Sequence, residues 1–161
     1  MAKIKKFAAT NIRKITGGKD PVRLVQEFIL RLGFDPDSCQ KDKSNDAIRW
    51  MVGLGEEEEL EILVEGLRTH SDTSVYMGIN IATVPVRGGH DMLAAALEIA
   101  DGLVGIKISL VGHYLVLSAT LGASGMSIEE IEYHYKLITA QRGWFRDALL
   151  DELQWDEIPI E

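Results

Sequence analysis

Apolar residues recur along the chain with two different periods, and each change of period predicts a new element. Residues 21–32 place apolar side chains on one helical stripe, formed by Val22, Val25, Phe28, Ile29 and Leu32. Asp20 is a favourable N-cap residue, Pro21 suits the first helical position, and Gly33 favours a helix end. The pattern therefore predicts a helix over 21–32. Residues 34–46 predict a loop by their composition.

From residue 47 the period becomes two, as expected for half-buried strands. Alternating apolar positions predict strands over 47–52, 60–64 and 75–81, and Pro85 closes the third. Short links join these strands, which favours an antiparallel meander.

A helical period returns in "GGHDMLAAALEIADGLVG", residues 88–105, in which Leu93, Leu97, Ala100 and Val104 share a face. Two more strands follow, with Gly112-His113 as a tight turn between them. Ser127 and Glu130 form a capping box that opens a long last helix, which Gly143 could kink or divide. The predicted fold is α+β, in the order α-β-β-β-α-β-β-α, with an antiparallel sheet and helices mainly on one face.

The length of 161 residues fits one domain, predicted over 20–154, with a basic arm or short helix at 1–19 and an acidic tail at 155–161. Cys39 is the only cysteine, so no internal disulfide can form, which suits a reducing compartment. The sequence has no secretory signal and no apolar run of about 20 residues that could span a membrane. These features predict a cytoplasmic protein.

The charge is unevenly spread between the arm and the rest of the chain. Residues 1–19 carry six basic side chains and no acid, and because the whole chain carries −8, residues 20–161 carry −14. The acidic body disfavours nucleic acid as a partner. The arm leaves contacts with an anionic surface open, and it could instead fold against the acidic body of its own or a partner chain.

The usual motifs of catalysis and cofactor binding are absent from the sequence. "GLGEEE" has Glu58 where a dinucleotide fingerprint needs its third glycine, and the four histidines show no metal-ligand spacing. Cys39 lies in a predicted polar loop, and the sequence around it contains no motif that would supply the base a catalytic thiol needs. We therefore expect no catalytic residue, cofactor or metal. The acidic run at 56–59 is interpreted as a solvated turn followed by a polar strand face, on which Leu63 is the single apolar residue.

Two surfaces are candidates for protein binding. The sheet face opposite the helices mixes charges with large apolar groups, and its predicted contact residues are Met51, Leu63, Tyr76, Val111, Tyr114 and Val116. Scattered apolar residues on an ordinary surface are the alternative. The central helix has small residues that allow close approach to a second copy, and its predicted dimer contacts are Ala94, Ala95, Ala96 and Ala100. High helix propensity alone would also explain these alanines.

Three local features carry a family resemblance over about residues 20–152. They are "AIRWMVGL" entering the meander, "YMGINIATVPV" stopping at Pro85, and a hairpin followed by "GMSIEEIEYHY". The chain resembles the type III secretion chaperone-like fold, and in particular the YbjN family. The resemblance implies a small acidic cytoplasmic homodimer that holds an extended segment of a client protein, with no shared catalytic residues.

The expected function is thus a non-catalytic protein-binding module, chaperone-like or regulatory, that binds a client segment as a homodimer. The alternative is a small-ligand-binding regulator or enzyme with a pocket between sheet and helices. For that alternative, the residues to inspect are His90, His113, Tyr133 and His134.

Overall fold

A computed structural model describes residues 20–55, 58–68 and 73–154. The predicted arm at 1–19 and tail at 155–161 lie outside these residues. The elements in chain order are α1 (Pro21–Arg31), α2 (Pro36–Cys39), β1 (Gln40–Lys43), β2 (Ala47–Gly53), β3 (Glu59–Glu65), β4 (Ser74–Thr83), α3 (Gly89–Ala100), β5 (Lys107–Val111), β6 (Tyr114–Gly122) and α4 (Ile128–Leu153).

The strands form one antiparallel sheet in the order β1-β2-β3-β4-β6-β5, which confirms the predicted α+β class. Strands β1 and β5 are its two edges. The meander of β2, β3 and β4 and the hairpin of β5 and β6 occur where they were predicted, and β2 and β3 show the predicted alternation of burial. Leu60, Ile62 and Val64, for example, are fully buried on one face of β3.

The prediction of a loop over 34–46 was wrong, because the segment contains α2 and β1. The Asp35 carboxylate accepts hydrogen bonds from the backbone N–H groups of Asp37 and Ser38, which caps the single turn of α2. The Ser38 hydroxyl also donates a hydrogen bond to this carboxylate. The pKa of Asp35 is lowered mainly by the bond from the Ser38 hydroxyl and secondly by the bond from the Asp37 N–H. Strand β1 is polar throughout and pairs irregularly with β2, so it carries no apolar alternation to recognise.

Helix α1 begins and ends as predicted. The Asp20 carboxylate accepts a hydrogen bond from the Val22 N–H at 3.0 Å, with Pro21 in the first turn. Gly33 leaves the helix with φ of +90°, a conformation that glycine adopts without strain.

The described chain groups into two compact units. Among the described residues, unit 1 comprises 20–51, 62–68, 73–76 and 120–132, and contains α1, α2, β1 and the first turn of α4. The Leu67 N–H donates to the Asp46 carbonyl at 3.0 Å within it, and the Ala123 N–H to the Thr73 carbonyl at 2.9 Å. Unit 2 comprises 52–55, 58–61, 77–119 and 133–154, and contains α3, β5 and most of α4.

The apolar residues that share a face in the sequence of the central helix do not form its buried side. Met92, Ala95 and Ala96 point inward in α3, whereas Leu97 is 70% exposed. The helix ends at Ala100, so Val104 lies in the following loop. Because alanines fill the inward face, the large apolar residues do not mark which side of this helix is buried.

Helix α4 is one unbroken helix from Ile128 to Leu153, so Gly143 does not divide it. Its predicted N-cap is confirmed, since the Glu130 N–H donates to the Ser127 hydroxyl at 3.2 Å.

Candidate protein-binding surfaces

Three of the predicted contact residues lie in unit 1, one on each of three neighbouring strands. Met51, Leu63 and Tyr76 are half-buried and alternate with fully buried residues on β2, β3 and β4, so each lies on the other face of its strand. Glu65 is exposed and, two positions after Leu63, shares its face of β3. We call Met51, Leu63, Glu65 and Tyr76 the unit 1 strand face.

The other three predicted contact residues lie in the β5–β6 hairpin of unit 2. Val111 pairs with Tyr114 across the turn, where Gly112 has φ of +63°. Val111 is 51% exposed, and the half-buried Tyr114 ring lies 4.2 Å from that of His113.

Val116 is only 4% exposed, so the prediction that it lies on an open face was wrong. Five consecutive residues of β6, from 115 to 119, are buried, which means that both faces of this strand are covered.

Unit 2 also exposes apolar side chains on its edge strand, on α3 and in the loop that joins them. Leu110 and Val111 of β5 are each 51% exposed. Leu97 of α3 is 70% exposed, and Val104, in the loop between α3 and β5, is 74% exposed. Helix α3 contacts β5 directly. We call Leu110 and Val111 the β5 surface. Sequence reasoning found Val111 but not Leu110, and it did not identify Leu97 or Val104 as exposed, because hydrophobicity alone does not report exposure.

The loop that carries Val104 is held against α4. The side-chain amide of Gln141 donates to the Val104 carbonyl at 3.2 Å. A Cβ atom at Gly102 would lie 3.0 Å from the Trp144 ring, and one at Gly105 would lie 3.1 Å from Leu137. This close packing along one side of α4 fixes the backbone that presents Val104 to solvent.

The predicted dimer contacts divide by burial. Ala95 and Ala96 are buried within the chain and cannot meet a second copy in this conformation. Ala94 is exposed and Ala100 is half-buried. Ala94 and the exposed Leu97 are three residues apart, so they lie on one side of α3.

The residues considered for a ligand or catalytic site lie mostly on the surface. His90, His113 and Tyr133 are exposed. The Tyr133 ring packs edge to face against the ring of its neighbour His134, with 5.3 Å between the ring centroids. Cys39 is buried at the end of α2 rather than in a polar loop. Within the described ranges, no three His, Cys, Asp or Glu side chains are grouped so that they could hold a metal ion. Among the helices described, none is long and apolar enough to cross a membrane.

The acidic run also departs from the prediction at one position. Glu58 is not simply solvated, since its carboxylate accepts a hydrogen bond from the Arg142 guanidinium of α4 within unit 2. Burial, and secondly the negative charge of Glu58, raise the pKa of the nearby Tyr135 phenol. Glu56 and Glu57 lie outside the described residues.

The solved structures that resemble this chain include three protein complexes. The chain resembles one in the ExsC-ExsE complex, with a TM-score of 0.55 and 15% identity, covering 79% of this chain and 91% of that chain. It also resembles one in the heterodimeric ExoU-SpcU complex from the type III secretion system of Pseudomonas aeruginosa, with a TM-score of 0.51 and 14% identity over 77% and 96% of the two chains. A third structure is the Yersinia pestis type III secretion chaperone SycH in complex with a stable fragment of YscM2, with a TM-score of 0.48 and 13% identity over 76% and 97% of the two chains.

These similarities confirm the predicted type III secretion chaperone-like fold. No family model matches the sequence, and no curated protein matches it either. Membership of the YbjN family therefore stays a prediction.

Proposed function

We propose that this protein is a chaperone-like binding module, without catalytic activity, that holds an extended segment of another protein. The observation that carries the proposal is the β5 surface, where an edge strand exposes the apolar side chains of Leu110 and Val111. An edge strand offers backbone hydrogen-bonding groups to an added strand. Exposed apolar groups beside it supply the specificity that backbone pairing lacks.

The proposed contact is strand addition along β5. Successive side chains of a strand point to opposite faces, so an added segment would place alternate side chains near Leu110 on one face and Val111 on the other. Tyr114, opposite Val111 in the hairpin, extends the second face. The fold supports this proposal, because the similar chains in the ExsC-ExsE and ExoU-SpcU structures are each part of a complex with another protein.

Met51, Leu63 and Tyr76 of the unit 1 strand face are proposed as a second contact for the same client. They are large, half-buried and apolar, as is typical of the centre of an exchangeable interface. Val116 is not part of the proposal, since its burial leaves nothing for a partner to contact.

We further propose that the protein works as a cytoplasmic homodimer of the YbjN type. The dimer contact is assigned to the outer side of α3 around Ala94 and Leu97, with Ala100 at its margin. A small residue beside an exposed leucine lets a second helix approach closely and bury apolar area.

The test is affinity capture from native lysate, followed by mass spectrometry, with single aspartate variants. Leu63→Asp and Val111→Asp are expected to lose the captured proteins, because a charge would have to be buried in either contact. Leu30→Asp is the matched control, since Leu30 is an exposed leucine of α1 outside both contacts. Circular dichroism should be unchanged in all three variants. Retained capture by both test variants would overturn the proposal.

A further inference from the structure

We propose that the open edge of β5 pairs with β5 of a second copy of this chain, in one antiparallel register centred on Ser109, and that this pairing controls access to the client site. The pairing itself needs no client. Its control over client binding rests on the proposed function, because an edge strand accepts one neighbour at a time.

The turn of the β5–β6 hairpin fixes the hydrogen-bonding pattern of β5. Gly112 has φ of +63°, and the φ of His113 is not positive, since Gln154 alone has a positive φ among the described non-glycine residues. A two-residue loop with glycine at positive φ first and a negative φ second is a type II′ turn. Such a turn closes with a hydrogen-bonded pair, which here is Val111 and Tyr114.

Hydrogen-bonded pairs alternate along an antiparallel hairpin. Counting back from Val111, the backbone N–H and C=O groups of Lys107, Ser109 and Val111 face β6. Those of Ile108 and Leu110 face away from β6, toward the open edge of the sheet. Among the described residues, neither Ile108 nor Leu110 takes part in a backbone hydrogen bond outside the helices and strands. Both residues therefore offer a donor and an acceptor to a further strand.

The outward groups are arranged symmetrically about Ser109, so a second β5 is a matching neighbour. When Ser109 lies opposite Ser109 of the second copy, Ile108 of each chain lies opposite Leu110 of the other. Any other antiparallel register leaves an outward-facing residue of each β5 without an outward-facing partner in the other. The sequence of β5 thus selects one two-fold symmetric pairing.

The side chains fit this register on both faces of the strand. Ile108 and Leu110 of the two copies meet on one face, and Ser109 meets its copy on the other. Lys107 lies opposite Val111 of the second copy, so the two lysines are not opposed and no like charges meet. The pairing would cover part of Leu110 and Val111, which are each 51% exposed in the single chain.

The opposite edge of the sheet is unsuited to the same pairing. Strand β1 has exposed charges at Lys41, Asp42 and Lys43, and its register against β2 shifts between Gln40 and Asp42. Edge charges and bulges are features that prevent pairing between sheets. Self-association through the sheet is therefore directed to β5.

A pair of five-residue strands is a small contact. It buries less than the roughly 1,200 Å² at the lower end of stable interfaces, so pairing at β5 exchanges readily. Helix α3 contacts β5, and the dimer contact proposed above lies on the outer side of the same helix. The α3 contact can hold two copies together while their β5 edges separate.

A client and a second copy compete for β5 in this arrangement, because both need the outward N–H and C=O groups of Ile108 and Leu110. The paired dimer is closed to clients. A client segment binds only after it displaces β5 of the second copy, so self-pairing sets a threshold for client binding.

Disulfide formation tests the register without any client. Cys39, the only natural cysteine, is replaced by alanine in every variant. In the proposed register Ser109 and its copy form a non-hydrogen-bonded pair with Cα atoms about 4.5 Å apart, a distance that a disulfide bridges. Oxidised Ser109→Cys is therefore expected to form a covalent dimer. Lys107→Cys is the matched control, because the two Lys107 Cα atoms would lie about 13 Å apart, and its disulfide yield should be at least about tenfold lower.

Two further variants test the pairing in detail. An equimolar mixture of Lys107→Cys and Val111→Cys chains should form a mixed disulfide, because these two residues lie opposite each other in the proposed register. Leu110→Pro, added to Ser109→Cys, should lower the yield of covalent dimer about tenfold, because it removes an outward N–H that the hairpin does not use. Circular dichroism of the Leu110→Pro chain should be unchanged.

The outcomes separate the pairing from the proposed function. Equal disulfide yields for Ser109→Cys and Lys107→Cys, or no mixed disulfide, would overturn the pairing and leave client capture untouched. Oxidised Ser109→Cys should capture less of the proteins that its reduced form captures, and equal capture by the two forms would overturn the control of client binding. A reduced form that captures nothing, with the disulfide pattern intact, would overturn the proposed function and its regulation while the pairing stands.

Discussion

The Arg142 guanidinium on α4 donates to the carboxylate of Glu58, immediately before β3, and it is the less exposed partner. The Arg142 side chain is 17% exposed and that of Glu58 is 40% exposed. The Arg142 Nε–H also donates to the Asn80 carbonyl of β4 at 3.5 Å. One side chain thus connects the last helix to the residue before β3 and to β4.

We expect Arg142→Ala to lower the free energy of unfolding by about 1–2 kcal/mol, between the values for exposed and buried ion pairs. Urea unfolding measures the change. Arg31→Ala is the matched control, because Arg31 also bonds two groups, Glu27 and Glu132, but on an exposed surface. Equal losses in both variants would show that the partial burial of Arg142 has no energetic effect.

The raised pKa of Tyr135 predicts a loss of stability at alkaline pH. In the folded state the phenol stays protonated above its usual pKa of about 10, so the unfolded chain releases this proton first. The stabilising contribution is therefore complete below about pH 10 and falls as the pH rises through the folded pKa.

Tyr135→Phe should remove this part of the pH dependence. Urea midpoints compared at about pH 8 and about pH 10.5 should fall less in the variant than in the natural sequence. Glu58→Gln should lower the pKa of Tyr135, measured by phenolate absorbance, because it removes a neighbouring negative charge. An unchanged absorbance titration in that variant would show that the charge of Glu58 does not contribute to the raised pKa of Tyr135.

Sequence patterns predicted the elements that carry a strong periodic signal. The meander could be predicted because residues such as Leu60 and Ile62 are buried on one face of their strand. Apolar and polar residues therefore alternate along the sequence. Helix α1 could be predicted because its boundaries depend on local geometry. Asp20 caps the N-terminus, and Gly33 adopts the positive φ that follows the C-terminus. Strand β1 could not be predicted, since its partner β2, not its own polar residues, makes it a strand.

The candidate surfaces were harder to predict because exposure depends on packing between distant segments. Val111 and Val116 look equivalent in sequence, yet one is half-exposed and the other buried. The exposure of Leu97 could not be predicted, since the sequence of an alanine-rich helix leaves its inward side undetermined. The backbone that presents Val104 depends on Gln141, which is 37 residues away in the chain.

Gly143→Ala is expected to stabilise the protein by about 0.5–1 kcal/mol. Gly143 is exposed inside the unbroken α4, and an added Cβ atom would meet nothing within 4 Å. Alanine has the higher helix propensity and restricts the unfolded chain. Gly112→Ala is the contrasting variant, with equal open space but φ of +63°, and should destabilise. Urea unfolding measures both, and a destabilised Gly143→Ala would show that the glycine permits a bend that α4 requires.

The proposed dimer contact predicts that Leu97→Glu produces a monomer without unfolding the chain. Leu97 is 70% exposed in the single chain, so the carboxylate costs little in the monomer, whereas a dimer would bury it without a partner. Sedimentation velocity at micromolar concentration should show a dimer for the natural sequence and a dissociation constant raised at least about tenfold for the variant. Leu30→Glu, at a leucine of α1 that is 60% exposed, should stay dimeric. A natural chain that sediments as a monomer would remove the dimer from the proposed function and leave strand addition at β5 to be judged by client capture alone.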